Sequence, residues 1–410
     1  MAELVVKTTG VLRQHLIDPA ICIRCNTCED TCPIDAVTHD DNNYVVDASI
    51  CEHCLACIAP CPTGAIDNWR TVNQAYALND QFSWDDLPEE ETIATDASTV
   101  GRDALDEEAW EILEIAHQGQ GGEVPAPESA TRPCVSLYTR DNPILAKVAG
   151  NFRLTDESAE SDIHHIILDF GSTAMPVLEG QSIGVIPPGL DDHGRRYHMR
   201  LYSVASPRDG ERPGHNNISL TVKRVLVDKG GKSFHGVASN YLCDLNKGDE
   251  VVVTGPFGST FLMPDDRDCN LIMICTGTGA APFRAMTERR RRNPPWDSRM
   301  LLFFGSRTPG ELPYFGPLKK LPDRLLRKEL VFSRLKDQPK EYVQDRIRMC
   351  RTEVVDLLRQ KNTYVYICGL KGMETGVDEA LADVCKSADM DWKTLLDGMR
   401  QQGRYHVETY

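Results

Sequence analysis

The stretch ICIRCNTCEDTCP at residues 21–33 recurs as ICEHCLACIAPCP at residues 50–62. Each copy has the spacing C-x2-C-x2-C-x3-C-P, which is a ligand pattern of cubane iron–sulfur clusters. The cysteines are Cys22, Cys25, Cys28 and Cys32 in the first copy, and Cys51, Cys54, Cys57 and Cys61 in the second. The repetition indicates an internal duplication that provides for two [4Fe-4S] clusters.

The fourth cysteine of such a run ligates the cluster of the other run. We therefore predict two crossed ligand sets. The first is Cys22, Cys25, Cys28 and Cys61, and the second is Cys51, Cys54, Cys57 and Cys32. Tetrahedral zinc is the alternative, but two runs that each end in Cys-Pro are a poor match to zinc-finger spacing.

Bulk properties limit the class of protein. A chain of 410 residues exceeds the size of one growing core, so several domains are expected. The net charge of −16 disfavours a nucleic-acid partner, because phosphate backbones are bound through excess Lys and Arg. No apolar run is long enough to span a bilayer, and residues 1–14 lack a secretory signal pattern. We expect a soluble, cytoplasmic protein with no membrane partner.

The pattern of apolar residues predicts an α+β multidomain chain. Residues 1–72 form the cysteine-repeat domain, and residues 73–132 form an acidic linker with a possible helix in DALDEEAWEILEIAH at 103–117. Short alternating segments over residues 133–265 predict an antiparallel β-barrel. Buried strands alternating with helices over residues 266–410 predict a parallel α/β domain with its ligand at the carboxyl ends of the strands.

Several motifs resemble segments of plant-type ferredoxin–NADP reductases over about residues 135–410. They are RLYS at 200–203, GVASNYLCDL at 236–245, TGPFG at 254–258, GTG at 277–279, CGLKGM at 368–373 and VETY at 407–410. The cysteine repeat resembles bacterial two-cluster ferredoxins over residues 13–70. The resemblance implies a two-cluster ferredoxin fold, then an FAD-binding barrel, then an NADP-binding domain.

The resemblance implies that barrel residues hold FAD. The fork of Arg200 suits the pyrophosphate, the flat face of Tyr202 suits the isoalloxazine, and the Ser203 hydroxyl can hydrogen-bond near flavin N5. Considered alone, Arg200 could instead form an ion pair with a carboxylate, and Tyr202 could instead be an aromatic residue of the core. The full predicted set is Arg200, Leu201, Tyr202, Ser203, Thr221, Lys223, Gly236, Val237, Ala238 and Ser239.

The second nucleotide is predicted to be NADPH. An NAD-specific site usually presents an acidic residue to the ribose, whereas here Ser333 and Arg334 follow the strand and a Lys-x-Tyr-x-Gln segment comes next. These residues suit a 2′-phosphate, and a solvated surface loop is the alternative. The predicted set is Thr276, Gly277, Thr278, Gly279, Ser306, Arg307, Ser333, Arg334, Lys340, Tyr342, Gln344, Gly369, Leu370 and Tyr410.

The catalytic residues implied by the resemblance are Ser203, Cys368, Glu408 and Tyr410. Cys368 and Glu408 would flank the nicotinamide, with no covalent chemistry at the thiol, and Tyr410 would cover the flavin until the nicotinamide displaces it. The charged run at residues 289–292, RRRR, either docks an acidic electron-transfer surface or is simply solvated.

Hydride carries two electrons and each cluster accepts one, so a flavin is needed between them. CIRCNTCEDTCPIDAVTHD at 22–40 and DQFSW at 80–84 resemble reductases that serve a separate diiron oxygenase of benzoyl-CoA degradation. The resemblance implies that oxygenase as the electron acceptor. Two alternatives stay open, namely electron flow toward NADPH formation and a redox-sensing regulator without turnover.

Overall fold

A computed structural model describes residues 11–91, 107–118, 124–191, 194–226, 233, 235–294 and 297–410. The start of the chain, on which the prediction of no export signal depends, lies outside these residues at positions 1–10. Residues 103–106 of the predicted linker helix and residues 119–123 of the following loop also lie outside them. None of the helices in the described ranges has the length and apolarity that a membrane crossing needs.

The cysteine-repeat domain is built from two small antiparallel sheets. Its elements are β1 (Leu12–Leu16), α1 (Thr27–Thr31), β2 (Val37–His39), β3 (Tyr44–Val46), β4 (Asn68–Val72) and α2 (Leu78–Phe82). β1 pairs with β4, and β2 pairs with β3. The cysteines pack around a core that includes Ile17, Val46 and Ile66. Residues from the predicted linker also belong to this unit, since the Asn43 amide donates to the carbonyls of Gln81, Phe82 and Trp84.

The linker helix α3 (Glu107–His117) lies within the range predicted to be helical. It does not stand free in solvent. Ala109 and Leu113 are buried against Met199 and Phe257, so one face of the helix forms part of the barrel's packing.

The second domain is an antiparallel barrel, as predicted. Its elements are β5 (Ile144–Arg153), β6 (Ile163–Asp169), β7 (Ser182–Ile186), β8 (Arg200–Ser203), β9 (Asn217–Lys223), α4 (Val237–Asp244) and β10 (Glu250–Phe257). The strand order is β8-β7-β10-β5-β6-β9, and a bridge between Val204 and Leu220 joins the two edges. Alternate side chains such as Ile166 and Leu168 fill the interior, and Leu242 of α4 packs on it.

The third domain is a parallel sheet covered by helices, as predicted. Its elements are β11 (Asn270–Thr276), α5 (Ala280–Arg292), β12 (Met300–Ser306), α6 (Phe315–Lys320), β13 (Arg327–Phe332), α7 (Val343–Met349), α8 (Arg351–Leu358), β14 (Thr363–Gly369), α9 (Met373–Lys386), α10 (Trp392–Gln401) and β15 (Tyr405–Thr409). The order is β13-β12-β11-β14-β15, so the winding direction reverses beside β11. A ligand crevice opens at the carboxyl ends of strands at such a reversal.

Backbone hydrogen bonds attach the cysteine-repeat domain to the barrel. The Arg13 amide donates to the Ser172 carbonyl at 3.2 Å, and the Ala174 amide donates to the Val11 carbonyl at 2.8 Å. Within the cysteine-repeat domain, the Arg13 guanidinium lies 4.4 Å from the centre of the Trp69 ring. The two domains are therefore joined by a short strand-like pairing.

Arginines of α5 join the barrel to the α/β domain. Arg284 donates to both carboxylate oxygens of Glu211 at 2.7 Å. Arg292 donates to the carbonyl oxygens of Gly210 at 2.6 Å and Glu211 at 2.8 Å. Arg290 is buried and donates to the Cys269 carbonyl. Both readings of the run at 289–292, as an electron-transfer docking surface or as a solvated face, are therefore wrong for most of it. Within the run, only Arg291 is substantially exposed. The other three arginines are more buried, because they contact groups from other parts of the chain.

Replacing Arg284 by alanine should destabilise the protein strongly, because it removes both bonds to a largely buried carboxylate. Breaking such a pair costs about 3–5 kcal/mol. The matched control is Arg291→Ala, which removes a half-exposed partner of Glu288 and should cost less than about 1 kcal/mol. Urea unfolding followed by circular dichroism measures both, and equal midpoint shifts would contradict the assignment of the Arg284 pair to the domain interface.

Candidate cofactor and nucleotide sites

The eight repeat cysteines come together in two groups. A small cavity is lined by Cys22, Cys25, Cys28 and Cys61, so the fourth cysteine of the second run joins the first three of the first run. Cys32 lies within electrostatic range of Cys51 and Cys57, and Cys54 lies within range of the same two thiols. These groups have the same members as the two crossed sets predicted from the spacing. Their role as cluster ligands remains a prediction.

The thiols of the two groups differ in exposure. Cys25 and Cys54 reach the surface, whereas Cys28 and Cys57 are buried. Burial raises the pKa of Cys28 to about 11 and that of Cys57 to about 12. Iron would take the place of the thiol proton, since only the thiolate is a ligand. Within the described ranges, no three His, Cys, Asp or Glu side chains are arranged to hold one metal ion. Each iron of a cubane takes one protein thiolate, so its ligands need not meet at one point.

The predicted flavin residues lie on β8, on β9 and around the start of α4. Arg200 is exposed, and its guanidinium donates to the Met199 carbonyl at 2.8 Å. Tyr202 is partly buried near Cys243 of α4, and burial raises the pKa of its hydroxyl. The side chain of Leu201 packs on the opposite face with the cluster that contains Leu113. Arg200 and Tyr202 therefore form the face that α4 approaches, while Leu201 does not contribute its side chain to it.

The loop before α4 fits a phosphate group. No side chain caps the helix at Gly236, so its first amides are not closed off by a capping group. A Cβ at Gly236 would lie 2.8 Å from the Ser239 hydroxyl and 2.9 Å from Val225 Cβ, so a larger residue would displace the loop. Val237 beside it is largely exposed, and Ala238 is buried. A cationic fork, an aromatic face and a helix start are a suitable donor set for FAD.

Two hydroxyls of the predicted flavin set have protein partners. Ser239 accepts a bond from the Val225 amide and donates to the Gly236 carbonyl, each at 3.2 Å. Thr221 is buried with its hydroxyl 2.7 Å from that of Tyr314. In this arrangement Thr221 joins the barrel to the α/β domain, and its contact with the cofactor stays a prediction.

The predicted nucleotide residues largely surround one cavity of about 430 Å³ at the carboxyl ends of β11, β12 and β13. Eleven of the predicted flavin and nucleotide residues line it. They are Lys223, Thr276, Gly277, Ser306, Arg307, Ser333, Arg334, Lys340, Tyr342, Gln344 and Leu370. The volume falls within the range of ordinary ligand pockets, and the lining combines cations, hydroxyls and an aromatic ring. These residues fit a phosphorylated nucleotide.

Part of the cavity lining was not predicted. Ser161 and Ile163 come from the start of β6 in the barrel, and Glu311 follows β12. The hydroxyl of Ser161 donates to Glu311 at 2.8 Å, so the barrel contributes a wall of the cavity. Nothing in the local sequence around residue 161 indicates nucleotide contact. Its position depends on how the two domains pack.

The predicted nicotinamide residues lie at the ends of β11, β14 and β15. Cys368 stands opposite Cys275 on one side and Glu408 on the other in the strand register. Burial raises the pKa of both thiols well above the usual value, so both are protonated at neutral pH. The neutral thiol of Cys368 agrees with the expectation of no covalent chemistry there. Gly279 packs against the Cys368 carbonyl, where a side chain would collide with it.

Tyr410 is anchored beside the same strands. The whole residue is 51% exposed, and its hydroxyl lies 2.7 Å from that of Thr278. Its amide donates to the Gly369 carbonyl at 3.1 Å. Ser203 lies on β8 opposite Ser182, and no hydrogen bond within the described residues joins it to the other predicted catalytic side chains. Cys368, Glu408 and Tyr410 are therefore grouped, whereas Ser203 belongs to the barrel face.

The linker helix reaches this group, which no sequence signal indicated. His117 at the end of α3 lies 3.4 Å from the Glu408 carboxylate, and both side chains are buried. Lys371 donates to Gln118 at 3.4 Å. The linker thus contacts the strand that carries the predicted catalytic glutamate.

Two family descriptions match separate parts of the chain. Residues 273–379 match the oxidoreductase NAD-binding domain, and residues 21–65 match the 4Fe-4S dicluster domain. The first match covers most of the α/β domain, and the second covers both cysteine runs.

Curated relatives match about two thirds of the chain. The ferredoxin–NADP reductase of Thermosynechococcus vestitus is 41% identical over 303 residues, covering 70% of this chain and 78% of that protein. The cyanelle ferredoxin–NADP reductase of Cyanophora paradoxa is 39% identical over 288 residues, covering 67% of this chain and 79% of that protein. A solved structure of ferredoxin–NADP+ reductase from Plasmodium falciparum is similar in fold, with a TM-score of 0.52 and 25% identity, and covers 67% of this chain and 99% of its own.

The crossed ligand sets predict which variants share a residual spectrum. The wild type should contain about eight iron atoms and eight acid-labile sulfides per chain, with one FAD. Cys32→Ala and Cys51→Ala should lose the same cluster and give matching electron paramagnetic resonance spectra after reduction. Cys61→Ala and Cys22→Ala should both lose the other cluster and give a second pair of matching spectra. Cys350→Ala, which lies outside the runs, should keep both clusters. A Cys32→Ala spectrum that matches Cys22→Ala would refute the crossing.

Tyr410→Ser should strengthen NADP+ binding and improve the use of NADH, because a ring that occupies the nicotinamide position must otherwise be displaced. Aromatic stacking is worth about 0.5–1.5 kcal/mol, so the change in affinity should be several-fold to about tenfold. Slower product release should then reduce NADPH turnover. Titration of NADP+ followed by flavin absorbance measures the affinity. Thr278→Val removes only the hydroxyl partner of Tyr410 and should change the NADP+ affinity less. Unchanged NADP+ affinity and unchanged NADH activity in Tyr410→Ser would contradict the role of Tyr410 as a ring that the nicotinamide displaces.

Proposed function

The chain belongs to the ferredoxin–NADP reductase family, and we propose that it takes electrons from NADPH and delivers them one at a time to a separate protein acceptor. One observation carries the proposal. A single chain combines two four-cysteine groups with a cationic nucleotide cavity on a reductase fold. It is an NADP-dependent oxidoreductase with FAD and two [4Fe-4S] clusters as its cofactors.

When bound, FAD accepts hydride and releases its electrons singly, and each cluster takes one electron. The protein's contribution is to hold and orient these groups. Arg200 and the open start of α4 would hold the flavin pyrophosphate, and Tyr202 would cover one flavin face. The protonated Cys368 and the buried Glu408 would shape the place where the nicotinamide meets the flavin.

The choice of NADPH over NADH is supported by the charge of the cavity. Arg307, Arg334 and Lys340 line it, and Tyr342 at its rim is 47% exposed, which leaves the ring available to stack on adenine. Burial, together with the neighbouring Arg307, lowers the pKa of Lys223, which also lines the cavity. Several cations around one space suit a dianionic 2′-phosphate.

For the acceptor we propose a separate diiron oxygenase that epoxidises benzoyl-CoA with O2 in the cytoplasm. The support is the resemblance of residues 22–40 and 80–84 to the reductase component of benzoyl-CoA 2,3-epoxidase. Residues 80–84 are part of the cluster domain, because the Asn43 amide binds the carbonyls of Gln81, Phe82 and Trp84. Both segments therefore belong to the cluster domain, which is the domain that we propose binds the acceptor.

A second candidate is electron flow in the opposite direction, from a low-potential donor to NADP+. The identity of 41% to a protein named as a ferredoxin–NADP reductase favours it. The potentials of the two clusters discriminate between the directions. A purely redox-sensing role is a weaker reading, and rapid NADPH turnover with an artificial acceptor would exclude it.

Mixing the holoenzyme with the candidate oxygenase, benzoyl-CoA, NADPH and O2 tests the proposal. We expect an epoxide product that requires every component, and NADH should support a much lower rate. Cys32→Ala is the matched control, since it should keep NADPH oxidation with an artificial acceptor while it loses epoxidation. Rapid NADP+ reduction from a reduced donor without any epoxide formation would favour the reverse direction instead.

A further inference from the structure

A carboxylate of the barrel lies against the arginines of the nucleotide cavity. The Glu160 Oε2 atom lies 2.5 Å from Arg307 Nη1 and 3.4 Å from Arg334 Nη1. Both arginines line the cavity, whereas Glu160 is in the loop between β5 and β6 of the other domain. One carboxylate oxygen therefore bridges the two guanidinium groups at the edge of the cavity.

Two other carboxylates line the cavity, and each has its shortest contacts with groups other than Arg307 and Arg334. Glu311 accepts the Ser161 hydroxyl at 2.8 Å and lies 3.9 Å from Arg307. Glu341 accepts two bonds from Arg346, at 2.6 and 2.8 Å. Within the described part of the chain, the ion pairs of Glu160 join it to Arg307 and Arg334. Of these three acids, Glu160 is the one that bridges both guanidinium groups.

We infer that Glu160 occupies the position of the 2′-phosphate in the free protein and so determines how strongly the site distinguishes phosphorylated from unphosphorylated nucleotides. The inference rests on the proposed function, in which Arg307 and Arg334 bind that phosphate. A carboxylate and a dianionic phosphate cannot both approach the same guanidinium closely without mutual repulsion. NADP+ must therefore displace Glu160, while NAD+ leaves the bridge in place.

The bridge is easy to displace. The Glu160 side chain is 67% exposed, and Arg307 and Arg334 are 39% and 55% exposed. Ion pairs with this exposure contribute little stability, so loss of the bridge weakens the protein only slightly. Removal of the Glu160 charge should then favour the phosphate, because the gain from lost competition exceeds the small loss of arginine positioning. Glu160 thus keeps the affinity for NADP(H) moderate and restrains the phosphate-binding arginines when no ligand is bound.

The test compares 2′-phospho-AMP with 5′-AMP, which differ at the predicted phosphate site. Both are titrated calorimetrically into the wild-type holoenzyme and into Glu160→Gln, Glu157→Gln and Arg334→Ala. Glu157 is an exposed acid in the same loop, so Glu157→Gln is matched in charge change. We expect Glu160→Gln to bind 2′-phospho-AMP about three- to tenfold more tightly with 5′-AMP unchanged. Glu157→Gln should match the wild type for both ligands.

The outcomes separate this inference from the proposed function. Unchanged or weaker binding of 2′-phospho-AMP in Glu160→Gln would overturn the inference, and the NADPH site would still stand if Arg334→Ala weakens that binding. Equal affinity of the wild type for both nucleotides, with no effect of Arg334→Ala, would overturn the phosphate site and the inference together. Equal tightening in Glu157→Gln would also overturn the inference, because it would show a general charge effect. Flavin content and the urea midpoint establish that each variant is folded.

Discussion

The arrangement of the two C-terminal domains depends on the ion pair between Glu211 and Arg284. Glu211 belongs to the barrel, yet Arg284 of the α/β domain binds both of its carboxylate oxygens. Burial alone would raise the pKa of Glu211, but the hydrogen bonds from His165 and Arg284 hold it well below the ordinary value. A group with a depressed folded pKa stabilises the protein above its unfolded pKa and loses that effect only as the pH falls through the folded value. The Glu211 carboxylate therefore stays charged at neutral and mildly acidic pH.

This interface matters for function because the nucleotide cavity has walls from both domains. Ser161 and Lys223 come from the barrel, while Arg334 and Tyr342 come from the α/β domain. A small rotation between the domains would separate the cations from the rest of the site. The Glu160 bridge to Arg307 crosses the same boundary. The cavity therefore concentrates positive charge locally in a chain whose net charge is −16, and the domain contact maintains that concentration.

Much of the architecture could be predicted because its causes are local in the chain. Each cysteine run fits within thirteen residues and recurs 29 residues later, so the two groups of four follow from short-range spacing and one duplication. The alternating and continuous apolar segments predicted a barrel followed by a parallel sheet, and both are confirmed. Much of the cavity lining could also be predicted, since several of its residues lie at or after the ends of β11, β12 and β13, and parallel strands bring their carboxyl ends to one edge.

What the amino-acid sequence by itself determined is the set of elements, the two cysteine groups and the chemistry of the nucleotide loops. Only the tertiary structure decided that His117 meets Glu408 across 291 positions of the chain, and that Glu160 meets Arg307 across 147. The same holds for Arg292 in the run at residues 289–292, whose acceptors are carbonyl oxygens of the barrel. These contacts depend on how whole domains dock. Docking is the sum of many weak contacts between distant residues, and no short window of sequence contains that sum.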